Sequence, residues 1–148
     1  MISLLVLAFN EEERIRQVIQ EHVELFDEII IVNDASKDTT QEIIESIIDQ
    51  DKKTKIKLVN NKKNLGAGKS FEVGVKEFLK SQSKFLIKID GDNQFLNKDV
   101  KKIIKISNDL KIDFVKGDRF WEHGVKGSIP MIRYVGNAFA SLLIKLST

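Results

Sequence analysis

The sequence predicts an α/β domain that is doubly wound around a mostly parallel sheet. Short β-branched runs alternate with longer amphipathic stretches along the chain. The run at 28–33 consists almost entirely of Ile and Val, which is typical of a strand buried on both faces of a parallel sheet. The 148 residues are enough for one compact domain with its own core, which we expect to cover 1–148. Together these observations predict repeated strand–helix–strand units.

Hydrophobic periodicity places the elements in order. Residues 2–9 are predicted as the first strand and 11–26 as a helix, with Asn10 as its N-cap and three acidic residues in its positive first turn. The remaining predicted elements are a strand at 28–33, a helix at 39–49, a strand at 55–59, a helix at 69–79, a strand at 85–90, a helix at 98–110 and a short strand at 114–116.

Composition limits the chemistry that the chain can support. There is no cysteine, so disulfides and thiolate metal sites are excluded, and a metal would be held by oxygen ligands or by His22 and His123. The net charge of +2 is too small to indicate nucleic acid, and the lysines at 52–84 lack aromatic residues at a stacking spacing. We expect no nucleic-acid partner. The lysines form either a solvated surface or an attraction for a nucleotide diphosphate or an anionic membrane.

No apolar run approaches the roughly 18 residues that span a bilayer, so we expect a soluble or peripheral chain in the cytoplasm. Residues 129–146 are apolar around Arg133, Asn137 and Lys145 and begin near Pro130. They form either an ordinary docking helix or an interfacial helix lying on the inner face of the membrane. The sequence leaves the oligomeric state open.

Polar or glycine-containing turns follow the predicted strands at 8–11, 33–36, 64–68 and 90–92. In open parallel sheets the ligand binds beyond the carboxyl ends of the strands. We therefore predict the functional site at this edge of the sheet.

The strongest signal is Asp90-Gly91-Asp92-Asn93-Gln94, which follows an apolar strand. Two carboxylates one residue apart can converge on one divalent cation if the chain turns between them, and Gly91 permits a turn. Oxygen ligands suit Mg²⁺ or Mn²⁺, which could neutralise a diphosphate leaving group. The plainer interpretation is a solvated Asp-Gly turn.

Two further turns carry candidate ligand groups. Asp34 could accept an N–H of uracil or guanine, while Ser36, Asp38 or Thr39 could cap the following helix. The loop Asn64-Leu65-Gly66-Ala67-Gly68-Lys69-Ser70 is similar to a phosphate-binding P-loop, but Lys63 occupies the position of the first required glycine. A glycine loop packed beside a nucleotide is the favoured interpretation.

These stretches together resemble the inverting family 2 glycosyltransferases and, within them, the polyprenyl-phosphate (dolichyl-phosphate-type) sugar synthases. The stretches that carry the resemblance are Ala8-Phe9-Asn10-Glu11-Glu12, residues 32–40 around Asp34, Asn64-Leu65-Gly66-Ala67-Gly68, Asp90-Gly91-Asp92-Asn93-Gln94, Gly117-Asp118-Arg119 and Arg133. They span nearly the whole chain in family order. The resemblance implies a GT-A fold, the Rossmann-like three-layer fold of nucleotide-diphospho-sugar transferases.

The resemblance also implies a role for each matching residue. It assigns the metal, Mg²⁺ or Mn²⁺, to Asp90, Asp92 and Gln94. It suggests catalytic roles for Asp92, Arg119 and Arg133, with the two arginines on the acceptor phosphate or the leaving diphosphate. The predicted nucleotide-binding residues are Ala8, Phe9, Asn10, Glu11, Asn33, Asp34, Ser36, Asn64, Gly66, Gly68, Lys69, Asp90 and Gly91.

The chain departs from the family pattern in two positions and in length. Ala8 stands where Pro is usual, Asn33 stands where Asp is common, and family catalytic domains usually continue past Thr148. The predicted function is metal-dependent, inverting transfer from a UDP- or GDP-sugar to a lipid phosphate. The alternatives are transfer to a saccharide hydroxyl, a nucleotide-sugar-binding fragment without catalysis, a sugar nucleotidyltransferase and a P-loop phosphotransferase.

Overall fold

A computed structural model describes residues 1–50, 55–92, 97–111 and 114–115. Four strands and four α-helices alternate through these residues, with one short 3₁₀ turn. In chain order they are β1 (Ile2–Ala8), α1 (Ile15–His22), the 3₁₀ turn (Val23–Leu25), β2 (Glu28–Asn33), α2 (Thr40–Gln50), β3 (Lys55–Asn60), α3 (Ala67–Phe78), β4 (Phe85–Asp90) and α4 (Asn97–Leu110).

The four strands form one sheet in the order β3-β2-β1-β4, and each neighbouring pair is parallel. The register aligns Ala8 with Asn33, Asn33 with Asn60, and Leu7 with Asp90. The carboxyl ends of all four strands therefore lie in one row. The parallel α/β sheet that the sequence predicts is confirmed.

The central strands are buried on both faces. On one face Leu5, Leu7, Ile30 and Val32 form a core cluster against which Val73 and Phe78 of α3 pack. Because neighbouring residues of a strand point to opposite faces, the alternate residues of β1 and β2 cover the other side. Those residues are also buried, as are the inward residues of α1 and α2, namely Leu4, Val6, Ile29, Ile31, Ile15, Val18, Ile19, Ile44 and Ile47.

The strand order contains a change of direction. The chain moves from β1 outward through β2 to β3 and then returns to place β4 on the other side of β1. Right-handed crossovers put the helices before and after such a reversal on opposite faces of the sheet. A crevice opens where the order reverses, beyond the carboxyl ends of the strands. Here that point lies between the end of β1 and the end of β4.

The predicted element bounds are confirmed to within two residues, apart from α1 and the last short strand. The prediction of a helix at 11–26 with Asn10 as N-cap is wrong: α1 covers Ile15–His22, and residues 12–14 form a turn. The predicted strand at 114–116 is not observed at Phe114 and Val115, and residue 116 lies outside the described residues.

The chain divides into two compact units, Met1–Lys102 and Ile103–Thr148. The first contains the whole sheet and α1, α2 and α3. Most of the second lies outside the described residues, so one domain over 1–148 stays a prediction. Among the described residues, no helix combines the length and apolar character needed to cross a membrane.

Candidate functional site

The first loop residue after β2, β3 and β4 is still hydrogen-bonded to the neighbouring strand through its backbone amide. The Asp34 amide donates to the Ala8 carbonyl at 2.8 Å, the Asn61 amide donates to the Asn33 carbonyl at 2.9 Å, and the Gly91 amide donates to the Leu7 carbonyl at 2.8 Å. These bonds fix the start of each loop relative to its neighbour. The turns that the sequence singled out are thereby brought to one edge.

The loops after β1 and β2 are joined to each other through Asn10. Its backbone has a positive φ of 56°, its amide donates to Ser36 Oγ at 3.0 Å, and its Oδ1 accepts the Lys37 amide at 2.8 Å. An N-cap residue has extended backbone and bonds its own helix, which Asn10 does not do. Asn10 therefore links two loops, and this is the physical reason why the capping prediction was wrong.

A second pair of links runs from the same loop to the start of α2. The Glu11 amide donates to Thr40 Oγ1 at 2.8 Å, and the Glu12 carboxylate accepts the Thr39 amide at 3.0 Å and its hydroxyl at 2.7 Å. Thr39, directly before α2, and Thr40, its first residue, are thus both bonded to the loop after β1. Glu12 thus satisfies a helix-start amide from outside the helix.

Asp38 caps α2, as one of the three capping candidates. Its carboxylate accepts the Thr40 amide at 3.1 Å and the Thr40 hydroxyl at 2.5 Å, and it also accepts the Glu12 amide at 3.2 Å. Partial burial by itself would raise the pKa of the Asp38 carboxyl, but these hydrogen bonds outweigh it and hold the pKa below its usual value.

Asp34 is the hub that ties the end of β2 to the glycine loop. Its Oδ1 accepts the Leu65 amide and the Asn61 side-chain amide, each at 2.8 Å, and its Oδ2 accepts the Gly66 amide at 2.8 Å. The residue is buried, with 5% of its surface exposed. Its carboxylate therefore organises the loop on which the nucleotide was predicted to lie.

The surroundings of Asp34 favour its charged form. Burial alone would raise the pKa of its carboxyl. The hydrogen bonds from the two loop amides and from the side chains of Asn61 and Ser70 outweigh that effect and hold the pKa below its ordinary value. Asp34 is therefore an anion at neutral pH.

Asn33 forms an amide pair with Asn60 on the adjacent strand. Its Oδ1 accepts the Ser36 amide at 3.1 Å, and its Nδ2 donates to Asn60 Oδ1 at 2.9 Å. Because the Ser36 backbone N–H can only donate, it fixes which way the Asn33 side-chain amide points. An aspartate at this position would lack the donor that Asn60 receives.

The Ser70 hydroxyl is not exposed as the metal-binding serine of a P-loop would be. Lys69 and Ser70 lie inside the first turns of α3, and Ser70 is buried with its hydroxyl accepting the Asn61 side chain at 3.0 Å. Gly66 has a φ of +80°, which an L side chain rarely adopts, and this aims its amide at Asp34. The glycine loop is therefore anchored to Asp34, and its place beside a nucleotide stays a prediction.

Asp90 and Asp92 flank the turn at the end of β4, and Asp90 is 38% exposed. The reason for Gly91 differs from the predicted one, because its φ is not positive. A Cβ on Gly91 would instead lie 3.2 Å from the Leu7 carbonyl oxygen and 3.3 Å from Glu11 Cγ. Glycine is needed there for close approach to β1, and that approach brings Glu11 beside the carboxylate turn.

Asp90 and Asp92 offer two carboxylates of the kind that a hard divalent cation takes as ligands. Within the described ranges, no group of three or more His, Cys, Asp or Glu side chains could hold a metal, so these two would need further ligands from outside that set. Mg²⁺ and Mn²⁺ are commonly held by one or two carboxylates together with water and substrate phosphates. His22 cannot contribute here, since it is buried in α1 and its Nδ1 lies 2.8 Å from the Val18 carbonyl.

A polar cleft of about 370 Å³ opens between the loops after β1 and β2. It does not reach Asp34 or Asp90. The lining residues are Asn10, Glu12, Glu13, Arg14, Lys37 and Asp38. Of these, only Asn10 was predicted as a ligand-binding residue.

Several predicted residues lie outside the described part of the chain. These are Asn93, Gln94, Arg119, His123, Arg133 and the stretch 129–146. Three further residues of the site, Asn61, Ser70 and Glu12, were not predicted to have a role there, although Ser70 and Glu12 belong to stretches that the sequence singled out. Asn61 carried a usable signal, because it directly follows a strand end, as Asp34 does. The roles of Ser70 and Glu12 depend on contacts between loops that no local pattern shows.

Comparison with known proteins adds an independent finding. A family model described as Glycosyl transferase family 2 matches residues 3–142. An uncharacterised protein of Methanocaldococcus jannaschii is 38% identical over 99% of this chain and 62% of its own length. The UDP-N-acetylglucosamine–dolichyl-phosphate N-acetylglucosaminyltransferase of Methanococcus voltae is 29% identical over 97% of this chain and 61% of its own length. The chain thus spans about three fifths of these relatives.

Two solved structures share the fold. Residues 1–349 of S. aureus TarS in complex with UDP superpose with a TM-score of 0.60 and 19% identity, over 82% of this chain and 39% of that one. A mannosyltransferase from Pyrobaculum calidifontis in complex with GDP-Man and Mn²⁺ gives a TM-score of 0.53 and 15% identity, over 62% of this chain and 27% of that one. The GT-A fold is therefore confirmed.

Proposed function

Because the chain belongs to glycosyl transferase family 2, we propose that it transfers a sugar from a nucleoside-diphosphate sugar to a polyprenyl phosphate, with inversion and with a divalent cation. One observation carries the proposal: the end of β4 is packed against the end of β1 where the strand order reverses, so Asp90 and Asp92 lie where an α/β sheet binds its ligand.

The donor nucleoside is assigned to the loops after β1, β2 and β3. Asp34 holds the glycine loop through the Leu65 and Gly66 amides and the Asn61 side chain, and the Ser70 side chain also bonds its carboxylate. An N–H of uracil or guanine is proposed to share an oxygen of this carboxylate with those donors. Ala8, Phe9, Asn10, Glu11, Asn33, Ser36, Asn64, Gly66, Gly68 and Lys69 complete the proposed nucleotide site.

Asp90 and Asp92 are proposed to hold Mg²⁺ or Mn²⁺, with Gln94 as a further ligand and Gly91 beside the diphosphate. When bound, the cation stabilises the charge of the departing nucleoside diphosphate. Arg119 and Arg133 are proposed to bind the acceptor phosphate or the leaving diphosphate through bidentate hydrogen bonds.

A lipid phosphate suits these residues as the acceptor. Such a phosphate is already an anion near neutral pH, so its attack on the anomeric carbon needs little help from a general base. The Methanococcus voltae relative is named for a dolichyl-phosphate acceptor. For the same reason we propose that residues 129–146 contact the cytoplasmic face of a membrane.

Calorimetry of UDP- and GDP-sugars with and without Mn²⁺ tests the proposal. We expect binding that requires Mn²⁺ in the wild type and is lost in Asp92→Ala, while Asp49→Asn, a change of an exposed carboxylate on α2, binds as the wild type. Radiolabelled sugar should then be transferred to a polyprenyl phosphate. Transfer to a saccharide hydroxyl instead would show that the acceptor is not a polyprenyl phosphate. Binding that needs no metal and is unchanged in Asp92→Ala would contradict the proposal.

A further inference from the structure

Lys88 lies beside the carboxylate turn and has no assigned part in the proposed reaction. It precedes Asp90 by two positions on β4, so both side chains point to the same face of the sheet. Its Nζ donates to Asp90 Oδ1 at 2.5 Å. The Lys88 and Asp90 side chains are 34% and 38% exposed, so solvent reaches the pair.

The strand register explains why the lysine reaches the edge of the sheet. Lys88 aligns with Leu5 and Asp90 aligns with Leu7, both of which belong to the core cluster on the α3 face. The aliphatic part of Lys88 therefore starts from an apolar face, and the ammonium group extends along the strand toward polar surroundings. Asp90 is the acceptor that it meets.

The ion pair places a positive charge where a divalent cation is proposed to bind. A cation that approaches Asp90 must share an oxygen with the ammonium group or displace it, and the two positive charges repel each other. A nucleoside diphosphate changes this balance, because its negative charges can be shared by the metal and the lysine. The ammonium group of Lys88 therefore weakens metal binding when no nucleotide is bound, and it no longer does so once the diphosphate is bound.

We propose that Lys88 is a positioning residue that competes with the divalent cation for Asp90 and so couples metal binding to nucleotide binding. The inference rests on the proposed function, since it requires Asp90 to be a metal ligand. Coupling of this kind is reciprocal, so the nucleotide tightens Mn²⁺ binding by the same factor as Mn²⁺ tightens nucleotide binding.

The test measures the affinity for Mn²⁺ alone by electron paramagnetic resonance, in the full chain and in its Lys88→Met variant. Removing the ammonium group should tighten Mn²⁺ binding about fivefold, which is the equivalent of one partly exposed ion pair. In the presence of saturating UDP or GDP the gain should disappear, so the coupling factor falls. Lys88→Arg keeps the charge and should bind Mn²⁺ as the wild type does.

Lys57→Met is the matched control. Lys57 is on β3, aligns with Ile30 on the same face, and is paired with Glu77. Its strand, β3, is separated from β4 by three inter-strand spacings, or about 14 Å. Its loss removes a comparable ion pair and should leave the Mn²⁺ affinity unchanged.

The outcomes separate the two proposals. If the wild type binds Mn²⁺ with UDP or GDP, but Lys88→Met without nucleotide binds it no more tightly than the wild type does, the role of Lys88 is overturned and the proposed function stands. If the wild type binds no Mn²⁺ even with nucleotide, the metal site itself is wrong and both proposals fail. Thermal melts establish that Lys88→Met is folded, and Lys88→Gln serves as a second neutral variant.

Discussion

The Asp34 carboxylate and the Gly66 amide, 32 positions apart in sequence, are joined by a hydrogen bond of 2.8 Å. A second bond of the same length joins Asp34 to the adjacent Leu65 amide. The loop after β3 is therefore held by the residue that ends β2. This arrangement makes the conformation of the glycine loop depend on the charge of one buried carboxylate.

Asp34→Asn should lower the free energy of unfolding at pH 7 by about 1–3 kcal/mol, because the new NH₂ group faces N–H donors. The folded-state pKa of Asp34 is below its ordinary value. Its contribution is therefore fully present above the unfolded value of about 3.9 and is lost as the pH falls through the folded value. Urea denaturation from pH 7 to pH 3 should show the difference between variant and wild type shrinking below about pH 4.

Asp49→Asn is the control for this prediction, since Asp49 is exposed on α2. It should leave stability unchanged within about 0.5 kcal/mol. A difference between Asp34→Asn and wild type that is the same at every pH would show that the charge of Asp34 is not what holds the loop.

Much of the fold could be predicted from sequence because periodicity reports burial directly. Glu28–Asn33 and Phe85–Asp90 were predicted with their observed bounds, since short runs rich in Ile, Val or Phe between polar residues are typical of strands. Helix α1 was predicted four residues too early. Glu11 and Glu12 look like a helix first turn, but contacts with Thr39 and Thr40 hold them outside the helix.

Only those site residues could be predicted that follow a strand end and have a side chain suited to binding a ligand. Asp34 was identified because it follows a strand, and its partners Asn61 and Gly66 could not be assigned, because nothing local connects positions about 30 residues apart. The ion pair between Lys88 and Asp90 was missed for another reason. A lysine within an apolar strand was taken as part of the strand pattern, although the two-residue period already put both side chains on one face.

Ala35 has a φ of +58° in the loop after β2, a conformation that costs an alanine about 1–2 kcal/mol. Ala35→Gly removes that strain and should raise the free energy of unfolding by about 0.5–1 kcal/mol, even though glycine loses more entropy on folding. Ala67→Gly is the matched control: Ala67 is exposed in the first turn of α3, and its replacement should lower stability. Urea denaturation measures both, and a loss in Ala35→Gly would contradict the strain.

Gly74 lets α3 approach β1 closely. A Cβ there would come within 2.7 Å of Leu5 Cδ2 and closer still to Cδ1, and Leu5 is fully buried. Gly74→Ala should therefore lower the free energy of unfolding by about 1–3 kcal/mol despite its better helix propensity. The double variant with Leu5→Val should recover part of the loss, and strictly additive effects in this double-mutant cycle would rule out the contact.

Gly66→Ala tests whether loop geometry serves ligand binding. An alanine Cβ would meet no atom within 4 Å, so the effect comes from the φ of +80° alone. The strain of about 1–2 kcal/mol should rotate the amide away from Asp34 and weaken binding of UDP or GDP about tenfold in calorimetry. Gly68→Ala, which has equal space and an ordinary φ, should not lower stability. Since both variants add the same methyl group, nucleotide affinity unchanged in Gly66→Ala would separate the loop conformation from the binding of the donor.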